Sequence, residues 1–165
     1  MPKTFIVKLN GAMLRRGFWL YVWEITTADG KQVLYVGRTG DNSSPNAQSL
    51  FNRLSQNLGT LATSSMVRNN LEKRAIDPAE CNFRMVGHGP IFDEVPNKDL
   101  ETHKPIRDTV GAVEKKLAEE LKAVGYDVMN DVRWNAPLDK DLYERVRAAF
   151  AAEFPKLESA PALSP

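Results

Sequence analysis

The sequence predicts an α/β (α+β) domain in which a small, mostly antiparallel sheet of about three strands is flanked by helices. Residues 18–37 carry the first observation: two runs of apolar and aromatic residues are separated by the turn sequence Ala28-Asp29-Gly30, which is typical of a β-hairpin. The second observation is a change of period. Segments 46–58 and 105–124 have apolar residues three and four positions apart, as amphipathic helices do.

The composition fits one compact domain. The chain has 165 residues, of which 42% are hydrophobic and 26% charged, so a fibrous or disordered class is excluded. We expect a single domain over residues 1–154 and a disordered tail over 155–165, where proline and small residues accumulate.

The cysteine content, the apolar runs and the net charge bear on the cellular location and the partners of the protein. Cys81 is the single cysteine, so no disulfide framework or thiolate metal cluster is expected. No apolar run approaches the about 20 residues of a membrane span, and the first residues lack a signal-peptide layout, so we expect a cytoplasmic protein without membrane contact. The net charge of +1 disfavours a large non-specific nucleic-acid surface but allows a local basic cleft.

One further strand is predicted before the hairpin and one further helix at the end of the chain. The second strand is apolar on both faces, which predicts a central strand covered on both sides. Pro105 is expected to begin the long helix and Gly125 to stop it, while 87–98 is predicted to be loop. Predicted strands are 3–9, 18–25, 31–37 and 81–87; predicted helices are 46–58, 64–76, 105–124 and 138–154.

The hairpin register decides where its two tyrosines point. A two-residue turn would pair Tyr35 with Glu24 and place Tyr21 and Tyr35 on opposite faces. A three-residue turn with Gly30 in the left-handed conformation pairs Tyr35 with Trp23 instead, and both tyrosines then share a face. We favour the second register because it keeps Glu24 away from the aromatic face.

Gly37 ends the second hairpin strand, beside the tyrosine face, and Arg38 follows it. Gly37 is expected to leave space above the backbone for a ligand. The alternative is that Tyr21 and Tyr35 are ordinary strand residues, because tyrosine has a high β propensity.

Charged residues on two helices are further candidates. Arg53 and Asn57 share one helix face; a guanidinium there is either a solvated charge or a phosphate ligand. Glu114 and Glu120 border the apolar stripe of the helix 105–124, and the spacing does not choose between them. Such a carboxylate is either a surface residue or a metal ligand.

Two histidines and a tryptophan are weaker candidates. His88 and His103 have no evident partner in the sequence and are expected to be structural or exposed. Trp134 is expected to pack rather than to contact nucleic acid.

Taken together, these residues resemble the GIY-YIG nuclease family over about residues 18–131. Trp19-Leu20-Tyr21 stands at the first motif and Tyr35-Val36-Gly37 at the second, and Arg38, Arg53, Glu114 and Asn130 follow in the family's order. The resemblance selects Glu114 over Glu120. The chain departs from the pattern in having Trp19 for the glycine of the first motif, Asn57 where some members have histidine, and a longer loop before Arg53.

The resemblance implies a metal-dependent endonuclease that hydrolyses DNA phosphodiester bonds. It implies a Mg²⁺ (or Mn²⁺) ion held by Glu114, Tyr35 as the general base and Tyr21 as a positioning group. The implied catalytic residues are Tyr21, Tyr35, Arg38, Arg53 and Glu114, and the implied substrate-binding residues are Gly37, Asn57 and Asn130. Asn130 would orient the glutamate or a metal-bound water, and positive charge from the metal and Arg38 would favour the phenolate of Tyr35.

The alternative is a module of the same fold that binds nucleic acid without turnover, or a subunit that needs a homodimer or a partner protein to engage DNA. A repair, restriction or mobile-element role is left open.

Overall fold

A three-stranded antiparallel sheet forms the centre of the protein. The computed structural model describes residues 1–163, and its strands are β1 (Phe18–Thr26), β2 (Gln32–Arg38) and β3 (Asn82–Phe92), in the order β2-β1-β3. The helices of this described part are α1 (Leu50–Leu58), α2 (Met66–Lys73), α3 (Leu100–Ala123) and α4 (Lys140–Ala151). The predicted α+β class and the antiparallel sheet of three strands are therefore confirmed.

The β1–β2 hairpin has the favoured register. Trp23 lies opposite Tyr35, and Glu24 lies opposite Leu34. Gly30 has φ +81°, the left-handed conformation that a three-residue turn requires at this place. The two tyrosines consequently lie on one face of the sheet.

Both faces of β1 are buried, as its sequence predicts. Leu20 and Val22 pack with α3 and α4 in one core. Tyr21, Trp23 and Ile25 belong to the other core, which includes residues of α1 and α2. Each fully buried large apolar side chain contributes about 1.5–3 kcal/mol, so the two cores hold the central strand in place from both sides.

The predicted N-terminal strand is wrong. Residues 3–9 belong to no strand, and Phe5 and Val7 are 84% and 88% exposed. A strand needs an edge to pair with, and the outer edge of β2 is already engaged: Leu34 donates to the carbonyl of Asp127 at 2.7 Å and accepts from the amide of Met129 at 2.8 Å. The β-branched and aromatic residues of the segment favour a strand locally, but the segment pairs neither with the occupied edge of β2 nor with the outer edge of β3.

Strand β3 runs further than predicted. It continues through Gly87, Gly89 and Pro90 to Phe92, a stretch that we expected to be loop because glycine and proline usually interrupt strands. β3 pairs only with β1 in the sheet order, and an edge strand tolerates proline because its amide need not be a ladder donor.

Helix α3 begins at Leu100 and not at Pro105. Asp99 caps it by accepting from the amides of Glu101 and Thr102, so Pro105 lies inside the helix and removes only one hydrogen bond near its start. The predicted stop is confirmed: the last helical residue is Ala123, and Gly125 follows with φ +92°.

The C-terminal tail departs from the expected disorder. Pro155–Ser159 form a 3-10 helix whose Leu157 is fully buried in the core beside α4. Residues 164–165, the end of the predicted tail, lie outside the described residues. Within residues 1–163, no helix is both long enough and apolar enough to cross a lipid bilayer.

Candidate active site

One open cavity of about 490 Å³ collects the residues that the sequence analysis singled out. It lies where the end of β2, the helix α1 and the middle of α3 meet. All eight predicted site residues line it: Tyr21, Tyr35, Gly37, Arg38, Arg53, Asn57, Glu114 and Asn130. The loop after β2 and the segment 131–134 complete the wall.

Helix α1 reaches the sheet closely because of a glycine on β3. A Cβ built on Gly87 would lie 2.1 Å from Leu50 Cδ2, so any larger residue at position 87 would push α1 away from the sheet. Ser49 begins the helix by accepting from the amide of Asn52 at 3.2 Å. Arg53 and Asn57, one turn apart on α1, are thereby held over the tyrosine face.

The Tyr21 ring fills the space above Gly37. A Cβ on Gly37 would fall 2.5 Å from both Cζ and the hydroxyl oxygen of Tyr21. Tyr21 is only 3% exposed, and its hydroxyl accepts a hydrogen bond from Asn57 Nδ2 at 3.1 Å. The expectation that Gly37 leaves room for a ligand is therefore wrong: its missing side chain makes room for Tyr21, and Tyr21 in turn presents its hydroxyl to the cavity.

Arg38 and Glu114 form a nearly buried ion pair. Arg38 Nε lies 3.0 Å from Glu114 Oε2, and the two side chains are only 7% and 12% exposed. Burial raises the pKa of Glu114 to about 7, although the charge of Arg38 opposes that shift. Around neutral pH the carboxyl is accordingly poised between its two protonation states, and a further cation would hold it ionised.

The surroundings of the two phenols differ. Burial raises the pKa of Tyr35, and the neighbouring Tyr21 and Glu114 raise it further, with only Arg53 acting against them. Burial also raises the pKa of Tyr21, but there the charges of Arg53 and Arg38 and the hydrogen bond from Asn57 act against it. Arg38 is among the charges that lower the pKa of Tyr21 and not among those that lower the pKa of Tyr35, so its support for a Tyr35 phenolate stays a prediction.

Asn130 supports the strand that carries the site. Its Oδ1 accepts from the Val36 amide at 3.0 Å, and its Nδ2 donates to the Val36 carbonyl at 2.8 Å. The side-chain amide thus takes the place of a neighbouring strand at the edge of β2, immediately before Gly37 and Arg38. Both of its polar atoms contact the backbone rather than Glu114, which was one of the two groups, with a metal-bound water, that Asn130 was expected to orient.

Trp134 stacks on Arg38, a contact that was not expected from the sequence. The guanidinium carbon of Arg38 lies 4.4 Å from the centre of its ring and that of Arg107 5.6 Å from it. A Cβ on Gly111 would lie 2.4 Å from Trp134 Cε2, so the ring packs onto α3 as expected and at the same time lines the cavity. Gly111 in the middle of a long helix is the sequence signal for this contact.

Arg53 meets a carboxylate that the sequence analysis missed. Its Nη2 donates to Asp41 Oδ1 at 2.9 Å, and its Nη1 donates to Gln56 Oε1 at 3.3 Å. Asp41 lies in the polar loop after β2. The sequence has no periodicity there, so it does not predict which way the Asp41 side chain points.

The remaining candidates lie outside the cavity. His103 is fully buried and donates from Nε2 to the Asp41 carbonyl at 2.9 Å, and His88 on β3 is half-buried with its ring 6.2 Å from that of Phe150. Glu120 pairs with Lys116 at 3.1 Å. Neither histidine lines the cavity, and Glu114 rather than Glu120 faces it.

Comparison with known proteins does not place the chain in a family. No family model, no curated protein and no solved structure matches it. Among residues 1–163 no group of three or more histidine, cysteine, aspartate and glutamate side chains is arranged to hold a metal ion.

Proposed function

We propose that the protein is a metal-dependent endonuclease that hydrolyses DNA phosphodiester bonds at this cavity. The observation that carries the proposal is the convergence of Tyr21, Tyr35, Arg38, Arg53 and the nearly buried Glu114 on a single open cavity. These residues come from β1, β2, α1 and α3, so their proximity does not follow from closeness in sequence. The same residues carry the resemblance to GIY-YIG nucleases.

The donor set fits a magnesium ion that the protein holds with one carboxylate. Mg²⁺ commonly keeps several waters and binds through one or two carboxylates and the substrate phosphate. Glu114 offers the required oxygen ligand at the cavity wall, and its raised pKa means that a bound cation would displace a proton or compete with Arg38. When bound there, the ion would supply positive charge against the charge that builds up on the phosphate.

The chain's own residues account for the other parts of a hydrolysis. A water attacks phosphorus and passes its proton to a phenolate, while the bond from phosphorus to the leaving oxygen breaks and that oxygen takes up a proton from solvent. Burial raises the pKa of both phenols, but only at Tyr21 do Arg53, Arg38 and the Asn57 hydrogen bond all act against that shift, so we assign the proton-accepting role to Tyr21. Tyr35 then has the positioning role, which reverses the assignment from the sequence.

The arginines provide the electrostatic part of the site. Arg38 and Arg53 both line the cavity, and their planar guanidinium groups match the oxygens of a phosphate. Donors that are already in place need no reorganisation when charge develops in the transition state. Arg38 is fixed by its stacking on Trp134 and its contact with Glu114.

A binding module without turnover is the second candidate. One observation favours it: both arginines of the proposed site face a protein carboxylate, Arg38 with Glu114 and Arg53 with Asp41. Such pairing reduces the positive potential that a phosphate would meet.

Plasmid cleavage with Mg²⁺ or Mn²⁺ tests the proposal. We expect metal-dependent cutting that is lost in Glu114→Gln and in Tyr21→Phe. Glu119→Gln and Tyr126→Phe are the matched controls, since Glu119 is exposed on the same helix and Tyr126 lies outside the cavity wall. Cutting that survives Glu114→Gln would show that the site is elsewhere. Metal-independent DNA binding without cutting on supercoiled, linear, branched and single-stranded DNA would favour the binding module.

A further inference from the structure

Residues 40–42, in the loop after β2, present consecutive oxygen acceptors to the arginines of the cavity. Asp41 Oδ1 accepts from Arg53 Nη2 at 2.9 Å, and Asn42 Oδ1 accepts from Arg38 Nη2 at 2.7 Å. The Gly40 carbonyl accepts from Arg38 Nη1, and the Asn42 carbonyl accepts from Arg107 Nη1. One short segment thus contacts three guanidinium groups.

The segment is fixed from the side away from the arginines. The Asp41 carbonyl accepts from the fully buried His103, and the Asp41 amide donates to the Asn46 carbonyl at 2.8 Å. Gly40 has φ +97°, and a Cβ there would lie 2.7 Å from the Phe18 ring. Buried partners and a glycine-only conformation make residues 40–42 a rigid support.

The bonds to the segment leave part of each guanidinium free for a ligand. Arginine has five N–H donors in one plane. Arg53 uses one donor of Nη2 toward Asp41 and one of Nη1 toward Gln56, so each of these nitrogens keeps a second N–H, whereas its Nε is buried and out of a ligand's reach. Arg38 likewise gives single bonds from Nη1 and Nη2 to the segment. The contacts orient the groups without using all of their donors.

We propose that Asp41 is a positioning residue that holds Arg53, through one edge of its guanidinium, in the orientation that receives the phosphodiester. The proposal rests on the proposed function of the cavity. Because residues 40–42 also hold Arg38, the loop sets the relative orientation of the two cavity arginines. The opposite interpretation is that Asp41 competes with the phosphate for Arg53, and it predicts the opposite change on mutation.

The test compares Asp41→Ala with Asp41→Asn in the cleavage assay. Alanine removes the acceptor, whereas asparagine keeps an oxygen able to accept from Arg53. Misplacing a substrate-binding group by about 1 Å can cost about 100-fold, so we expect Asp41→Ala to lower kcat by about 10- to 100-fold with a smaller change in KM. Asp41→Asn should recover most of that loss. If the wild type binds DNA without cutting, the same order is expected in affinity.

Asp127→Ala is the matched control, since Asp127 forms an equally short pair with Arg74 outside the cavity, at 2.8 Å. Faster cutting by Asp41→Ala would show competition and overturn the proposal. An equal loss in both Asp41 variants, accompanied by a lower Tm than the control, would overturn it in favour of a purely structural role. A wild type that neither cuts nor binds DNA would refute the proposed function and this role together, whereas cutting that is insensitive to Asp41→Ala would refute this role alone.

Discussion

Substitution of Gly37 by alanine tests the packing that presents Tyr21. At an open strand position this change should stabilise the protein by about 0.5–1 kcal/mol, because glycine loses more backbone freedom on folding. Here the new Cβ would lie 2.5 Å from Tyr21 Cζ, and overpacking of this kind costs about 1–3 kcal/mol. Displacing the ring also breaks the bond from Asn57, worth about 0.5–1.5 kcal/mol.

The stability gained from reduced backbone freedom and the stability lost with the hydrogen bond nearly cancel, so the overpacking decides the sign of the change in the free energy of unfolding. We expect a net destabilisation of about 1–3 kcal/mol, which for a chain of this size lowers Tm by roughly 3–10 °C. Thermal unfolding followed by circular dichroism measures it. Gly11→Ala is the control, since a Cβ on Gly11 meets nothing within 4 Å.

A double-mutant cycle isolates the contact. In a Tyr21→Leu background the ring is absent, and Gly37→Ala should then cost at least about 1 kcal/mol less. A Gly37→Ala protein as stable as the wild type, or an equal cost in both backgrounds, would refute the reasoning.

Three further predictions concern the rest of the site. The pKa of Glu114 is raised to about 7 from 4.5, so between these pH values the folded state binds a proton that the unfolded state does not. The stability that this proton contributes, about 3 kcal/mol, is fully present below about pH 4.5 and is lost as the pH rises through about 7. Urea unfolding from pH 5 to 7.5 should show this fall in the free energy of unfolding in the wild type and not in Glu114→Gln. Asn130→Ala should destabilise the protein by about 2–4 kcal/mol, because it leaves the amide and carbonyl of Val36 without partners, whereas Asn135→Ala, at an exposed position, should change little in the same urea titration. Arg133 and Arg145 are both exposed, but only Arg133 lines the cavity. In a Glu114→Gln background, Arg133→Ala should weaken binding to a duplex oligonucleotide and reduce the slope of log K against log salt concentration by about 0.9. An equal effect of Arg145→Ala would exclude a local contact of Arg133 with DNA.

The hairpin could be read from the sequence because its constraints are local. The burial of Trp23 and Tyr35, the exclusion of Glu24 from their face and the left-handed Gly30 all favour one register. Eight of the residues that line the cavity were also named from the sequence, because the resemblance fixes their order along the chain.

Other features depend on contacts between distant segments, which a single sequence does not display. Whether residues 3–9 form a strand depends on which segment pairs with the edge of β2, and residues 127–129 hold that place. Asp41 has no periodic neighbours to set its direction, yet it meets Arg53. Gly37 was assigned to a ligand because the sequence alone does not say that Tyr21 fills the space above it.

The position of Trp134 gives the protein an internal optical reporter. Trp19 and Trp23 are 4% and 2% exposed, whereas Trp134 is half-buried at the cavity wall, beneath Arg38. A collisional quencher dissolved in the buffer therefore reaches mainly one indole, and the emission that it removes comes from the cavity. Occupancy of the site by any ligand can be followed through this fluorescence without attaching a dye.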